Sequence, residues 1–123
     1  MIPGSSNDHP SFARSFYFAI KGFLCALKTE RNIRVMLTIA CLACLVGVFV
    51  KLSFTGWAVV LLGSGMVISA ELINTSIETV VDLASPELHP LAKRAKDIAA
   101  ASVWILCIFV ALAGVFVFAQ ALI

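Results

Sequence analysis

Charged residues are scarce in this chain of 123 residues. Asp, Glu, Lys and Arg together make up 13% of the sequence, 61% of the residues are hydrophobic, and the mean hydropathy is +1.03. Soluble globular domains usually contain about 25% charged residues. The composition therefore excludes an ordinary soluble domain and indicates an integral membrane protein.

Three further features are missing. Residues 1–10 are polar and lack the apolar core and small-residue cleavage site of a secretory signal, so we expect neither cleavage nor export. No basic run with interleaved aromatic residues lies in a soluble segment, so we expect no nucleic-acid partner. Cys41 and Cys44 have C-x-x-C spacing, but no histidine or second cysteine pair lies nearby. We interpret all four cysteines as packing residues.

The hydrophobic pattern predicts an all-α membrane protein with an N-terminal amphipathic helix and three transmembrane helices. In the first helix, bulky apolar side chains recur at helical spacing opposite Arg14, Lys21 and Lys28. This pattern predicts a helix that lies in the membrane interface or packs its aromatic face on protein. Three later segments are apolar and long enough to span a bilayer. The predicted bounds are 11–32 for the interfacial helix and 33–51, 56–83 and 91–123 for the spans, within a single membrane domain of residues 1–123.

The basic residues predict the orientation in the membrane. Eight of the nine Lys and Arg residues lie before the uncharged part of the first span or between the uncharged parts of the second and third spans, and Lys51 alone lies between the uncharged parts of the first two. Cytoplasmic loops carry an excess of Lys and Arg. We therefore expect a cytoplasmic N-terminus, a cytoplasmic connection before the third span, and a C-terminus on the other side.

The acidic residues are concentrated in one region. Five of the seven lie within residues 71–97. In the second span, Glu71, Asn74, Glu78 and Asp82 recur at helical spacing and share one face. Carboxylates stacked near hydrocarbon repel each other, so they persist where a cation or a proton-transfer function stabilises them. A solvated helix end is the simpler alternative, but it would not confine its acids to one face.

This arrangement has the parts that phosphoryl transfer requires. Carboxylates can bind a hard divalent cation, and lysines follow one short loop later. Because the acids lie at membrane depth, the attacked hydroxyl would most simply belong to a lipid. The sequence contains no G-x-x-x-x-G-K-[ST] loop and no glycine loop of the protein-kinase type. The residues alone therefore indicate a metal-assisted site for a phosphorylated ligand at the cytoplasmic interface. An ion channel is disfavoured because the spans offer no polar path to the other side.

The run from Glu71 to Asp82, followed by Ala95-Lys96-Asp97, resembles the E-x-x-N-x-x-x-E-x-x-V-D and A-K-D motifs of the prokaryotic diacylglycerol kinase family. The resemblance covers nearly the whole chain, including Lys21-Gly22 and Glu30. It implies a small three-span enzyme of the bacterial inner membrane that transfers the γ-phosphate of ATP, with Mg²⁺, to a membrane lipid alcohol. It also implies a homotrimer whose sites are shared between subunits.

The resemblance assigns roles to individual residues. Glu71 matches the general base that takes the proton from the lipid hydroxyl, and Glu30 and Glu78 match the metal-binding acids. An aromatic nucleotide contact of the first helix aligns with Phe18, next to Tyr17. The nucleotide-binding residues that the resemblance implies are Phe18, Glu30, Asn74, Glu78, Asp82, Glu87, Leu88, His89, Lys96 and Asp97.

The segment from Ser85 to Asp97 resembles the branch of the family that phosphorylates undecaprenol more than the branch that acts on diacylglycerol. We therefore expect undecaprenol as the lipid alcohol, with diacylglycerol as the alternative substrate. An alternative of a different class is a non-catalytic membrane protein whose acidic face binds cations or a partner.

Overall fold

The structure is a computed structural model that describes residues 11–123. Over these residues the chain forms helices and no strands, which confirms the all-α prediction. The helices are α1 (Phe12–Thr29), α2 (Arg31–Phe49), α3 (Phe54–Ala84) and α4 (Pro90–Leu122).

Helices α2, α3 and α4 are each long and apolar enough to cross a membrane. This confirms the three predicted spans. With 31 residues, α3 is about 46 Å long and exceeds the roughly 30 Å of bilayer hydrocarbon by about 16 Å. One end of α3 therefore has to extend beyond the hydrocarbon.

The three long helices form a bundle in which α3 packs against both α4 and α2, and α1 contacts α2 and α3. Short connections make consecutive long helices antiparallel. The start of α2, the end of α3 and the start of α4 consequently lie at the same end, which we call the polar end. Buried apolar side chains of the contact include Val60 and Val67 on α3 and Ala99 and Val103 on α4.

The corner between α1 and α2 lies at Glu30, whose backbone is extended (φ −107°, ψ 113°). Helix α1 therefore ends at Thr29, three residues before the boundary that the sequence predicted. The guanidinium of Arg34 donates hydrogen bonds from Nη1 to the carbonyls of Leu27 (2.9 Å) and Lys28 (3.0 Å). These carbonyls lack partners inside the helix, so Arg34 both caps α1 and fixes its direction relative to α2.

Helix α3 begins at Phe54, two residues earlier than predicted. The reason is an N-cap: the Ser53 hydroxyl accepts a hydrogen bond from the backbone N–H of Gly56 at 3.1 Å. Serine is a preferred N-cap residue because its oxygen satisfies an N–H that has no helical partner. Because α2 also ends two residues earlier than predicted, at Phe49, the connection keeps its predicted length of four residues and is shifted by two positions.

Lys51, in the turn between α2 and α3, has a left-handed backbone conformation with φ of 56°. A residue with a Cβ atom pays roughly 1–2 kcal/mol for this conformation, whereas glycine avoids that strain but loses more chain entropy on folding. We expect Lys51→Gly to raise the free energy of unfolding by about 0.5–1 kcal/mol, measured by reversible unfolding in mixed detergent micelles. Lys51→Ala removes the same charge but keeps Cβ, and an equal gain in that variant would contradict the explanation.

Gly63 lies at a close contact between α3 and α4. A Cβ atom at this position would lie 2.8 Å from Cγ1 of Val110, and a β-branched side chain cannot easily turn away. We expect Gly63→Ala to lower the free energy of unfolding by about 1–3 kcal/mol. Gly65→Ala is the matched control in the same helix, because nothing lies within 4 Å of its Cβ position. Equal unfolding energies for the two variants would be evidence against this contact.

Candidate active site

The polar stripe of α3 changes from buried to exposed along the helix. Glu71 and Asn74 are 3% and 7% exposed, and they are the buried polar residues within the part of the chain that the structure describes. Glu78 is half-buried and Asp82 is exposed. The stripe therefore begins inside the helix bundle and leads out to the polar end.

Glu71 lies in a group of polar side chains that come from separate parts of the chain. Its Oε1 accepts a hydrogen bond from Nδ2 of Asn32, on α2, at 3.3 Å. The carboxylates of Glu78 and Glu30 lie near enough to act on the charge of Glu71 through space. The structure thus brings Glu30, from the corner between α1 and α2, to the acidic stripe of α3.

Asn74 links this group to the next turn of α3. Its Nδ2 donates a hydrogen bond to Oε1 of Glu78 at 3.1 Å. Its Oδ1 is buried and has no hydrogen-bond partner among residues 11–123. A buried acceptor without a partner costs about 1–3 kcal/mol. This oxygen therefore needs a donor or a cation, which a ligand can supply.

The oxygen ligands of this group suit a magnesium ion that arrives with a nucleotide. Within residues 11–123, no group of three or more His, Cys, Asp or Glu side chains is arranged to hold a metal by itself. Protein-bound Mg²⁺ usually keeps several waters and is held by one or two carboxylates together with substrate phosphates. Glu30 and Glu78 supply two carboxylates, and the unpartnered Oδ1 of Asn74 lies beside Glu78.

Two ion pairs lie at the polar end. Nζ of Lys96, on α4, is 2.8 Å from Oδ1 of Asp82 on α3, and Lys93 pairs with Asp97 one turn along α4. Exposed ion pairs of this kind contribute little to stability. Lys96 can therefore exchange its carboxylate partner for a phosphate at small cost.

The loop between α3 and α4 carries three of the predicted nucleotide contacts. Nδ1 of His89 accepts a hydrogen bond from the backbone N–H of Leu91 at 3.1 Å, so His89 caps the start of α4. In the neutral ring the proton is then on Nε2, which can donate to an acceptor. Glu87 and Leu88 are exposed in this loop, and the Glu87 carbonyl accepts a hydrogen bond from the Ser85 hydroxyl at 3.0 Å.

Phe18 lies apart from the carboxylates of its own chain. It precedes Glu30 by twelve residues, which is about 18 Å of helix. Its aromatic neighbour is Tyr17, and the guanidinium carbon of Arg14 lies 5.8 Å from its ring centroid. The fold of a single chain therefore separates Phe18 from Glu30 by most of the length of α1.

Asn32 is the residue of this group that the sequence interpretation missed. It is separated from Glu71 by 39 positions, so no spacing rule connects them. Its position two residues after Glu30 at the start of a span is the one feature that could have drawn attention to it.

An apolar cleft of about 340 Å³ lies between α2, α3 and α4. Its walls include Val67 and Ile68 of α3 and Cys107 of α4. Val67 is one helical turn from Glu71, so the cleft leads from the apolar part of the bundle towards the buried carboxylate.

Comparisons with known proteins agree with this geometry. Residues 17–118 match a family model described as prokaryotic diacylglycerol kinase. The chain is 38% identical over 117 residues to an undecaprenol kinase of Bacillus subtilis, covering 92% of this chain and 95% of that protein. It is 31% identical over 108 residues to a diacylglycerol kinase of Helicobacter pylori, covering 88% and 84% of the two chains. A diacylglycerol kinase of Haemophilus influenzae is 37% identical over 94 residues, covering 74% and 78%.

The membrane-spanning helices, the carboxylate group beside an apolar cleft and these relatives define an integral membrane lipid kinase. ATP is the co-substrate that a kinase of this kind implies. The chain belongs to the prokaryotic diacylglycerol kinase family. The kinase hypothesis is thereby confirmed over the non-catalytic alternative.

Proposed function

We propose that the protein transfers the γ-phosphate of ATP to undecaprenol and produces undecaprenyl phosphate, with Glu71 as the general base. The observation that carries the proposal is the position of Glu71, a buried carboxylate one helical turn beyond Val67, which lines the apolar cleft. Undecaprenol is favoured over diacylglycerol by the relative named as an undecaprenol kinase, which matches 92% of the chain at 38% identity. The resemblance of the segment 85–97 to the undecaprenol branch supports the same choice.

In the proposed reaction the cleft holds the part of the apolar tail nearest the hydroxyl, and the hydroxyl lies at Glu71. The Glu71 carboxylate accepts the hydroxyl proton. The lipid oxygen forms a bond to the γ-phosphorus while the bond from that phosphorus to the bridging oxygen of the β-phosphate breaks. ADP leaves with that oxygen, and the proton remains on Glu71 until solvent removes it.

The nucleotide would lie along the stripe of α3. Glu78 is about 10 Å from Glu71 along the helix axis, and Asp82 is about 16 Å away. Glu30 and Glu78 would hold Mg²⁺, which when bound neutralises charge on the phosphates. Lys96 would exchange Asp82 for a phosphate, and Nε2 of His89 would donate a hydrogen bond. The remaining proposed contacts are Phe18, Asn74, Glu87, Leu88 and Asp97.

We also propose that the protein lies in the bacterial inner membrane with its N-terminus and polar end in the cytoplasm, where ATP is available. The concentration of Lys and Arg at the polar end supports this orientation. A homotrimer with shared sites is the proposed assembly. The distance of Phe18 from Glu30 along α1 supports contacts with a second subunit.

The test is phosphate transfer from labelled ATP by the purified full chain in mixed micelles, with and without Mg²⁺. Undecaprenol and diacylglycerol are offered separately and then together at equal concentration. Preferential labelling of undecaprenol that requires Mg²⁺ is the expected result. Preferential labelling of diacylglycerol would overturn the proposed substrate and support the second candidate, a diacylglycerol kinase, which several relatives' names favour.

A further inference from the structure

The first turn of α2 contacts the proposed base directly. Helix α2 begins at Arg31, and Nδ2 of Asn32 donates a hydrogen bond to Oε1 of Glu71 at 3.3 Å. Because a carboxylate only accepts hydrogen bonds, the amide must present its NH₂ group and not its oxygen. No other side chain within residues 11–123 donates a hydrogen bond to this carboxylate.

The backbone that carries Asn32 is held in place by the two residues that follow it. The next residue, Ile33, is fully buried with 0% exposure. One residue further, Arg34 donates to the carbonyls of Leu27 and Lys28 at the end of α1. Asn32 itself is exposed, so its side chain contributes little to the core. A rigid support and one directed donor are the properties expected of a group that orients a reacting side chain.

We propose that Asn32 is a positioning residue of the phosphotransfer reaction. Its amide holds Oε1 of Glu71, so that Oε2 faces the lipid hydroxyl and receives the proton. Asn32 acts through Glu71 and does not touch the substrate. The proposal rests on the proposed function, in which Glu71 is the base.

General values for base catalysis and positioning give the expected size of the effect. General base catalysis contributes about 10²–10⁴-fold to a rate, and displacement of a reacting group by about 1 Å can cost about 10²-fold. Asn32→Leu keeps a similar volume and removes the donor, so we expect kcat to fall by about 10- to 100-fold. Because the nucleotide residues lie further along α3, the KM for Mg-ATP should change by less than about 3-fold.

Two further substitutions separate positioning from structure. Asn32→Asp keeps the shape but places an acceptor and a negative charge beside Glu71, so its kcat should be lower than that of Asn32→Leu. Asn32→Gln retains an amide donor on a longer arm and should recover part of the lost kcat. Thr38→Val is the control: Thr38 is also exposed on α2, and its hydroxyl bonds to the Arg34 carbonyl of its own helix at 2.8 Å. Its kcat should equal that of the unmodified protein.

The experiment measures kcat, both KM values and thermal unfolding of these variants in mixed micelles, with the lipid that the unmodified protein labels. A fall in kcat at unchanged KM and unchanged unfolding temperature is the expected result. If the unmodified protein is active and Asn32→Leu keeps its full kcat, the proposed role of Asn32 is overturned and the proposed function is unaffected. If kcat and the unfolding temperature fall together in both Asn32→Leu and Asn32→Asp, Asn32 has a structural role. That result also overturns the proposal. An unmodified protein that labels neither lipid overturns the proposed function itself.

Discussion

Glu71→Gln is expected to reduce kcat by about 10²–10⁴-fold, the contribution of a general base. Glutamine keeps the shape of the side chain and can still accept the hydrogen bond from Asn32, but it cannot take a proton from the lipid hydroxyl. Since Glu71 is 3% exposed, preserving its shape also preserves the packing of α3. Phosphate transfer from labelled ATP measures the loss, and the thermal unfolding of the variant shows that the fold is intact.

The control for this substitution is Asp8→Asn. It removes one negative charge, as Glu71→Gln does. Asp8 is the single acidic residue of the sequence without a proposed role in the site, and it lies outside the described residues. Turnover by Asp8→Asn should equal that of the unmodified protein. If Glu71→Gln kept more than about a tenth of the original kcat, Glu71 would not be the base.

Glu78→Gln is expected to reduce kcat/KM for Mg-ATP by at least about 100-fold. Substitution of groups that only orient metal ligands typically costs 10–100-fold in metal affinity or activity, and loss of a ligand should cost more. The glutamine can still accept the hydrogen bond that Asn74 donates to Oε1 at 3.1 Å. The loss should therefore reflect metal binding and not packing, and it is measured by titrating Mg²⁺ at fixed ATP.

The Mg²⁺ dependence distinguishes the two carboxylates. Glu78→Gln should need a higher Mg²⁺ concentration for half-maximal turnover, because one carboxylate ligand is lost. Glu71→Gln should keep the original Mg²⁺ dependence in whatever turnover remains. If Glu78→Gln kept the original Mg²⁺ requirement, Glu78 would not be a metal ligand. Glu30 and Asn74 would then be the residues to test as ligands.

The sequence predicted the helices because hydropathy and charge report directly on membrane spans. The spacing also predicted that Glu71, Asn74, Glu78 and Asp82 share one helical face, and all four lie on the single helix α3. The motif supplied the family, which the relatives confirm. The roles given to single residues of the stripe stay predictions from that resemblance.

The features that the sequence did not predict depend on contacts between helices. The boundary between α1 and α2 was predicted three residues too late, because the guanidinium of Arg34 reaches back to the end of α1 and no local pattern reports this contact. The contact between Asn32 and Glu71 joins residues 39 positions apart. Neither arrangement has a periodicity, so local pattern rules could not detect it.

The uninterrupted course of α3 restricts how the enzyme can move during its reaction cycle. Glu71, Asn74, Glu78 and Asp82 all belong to one continuous helix of 31 residues, so their spacing is as fixed as the helix itself. Hinges are formed by loop or helix-end residues that absorb changes in backbone angles, and α3 offers none between the base and the nucleotide residues. Opening and closing of the site must therefore come from the elements around α3. The loop 85–89 is a joint at the polar end where such motion can occur, whereas the hydrogen bonds of Arg34 hold the corner at Glu30.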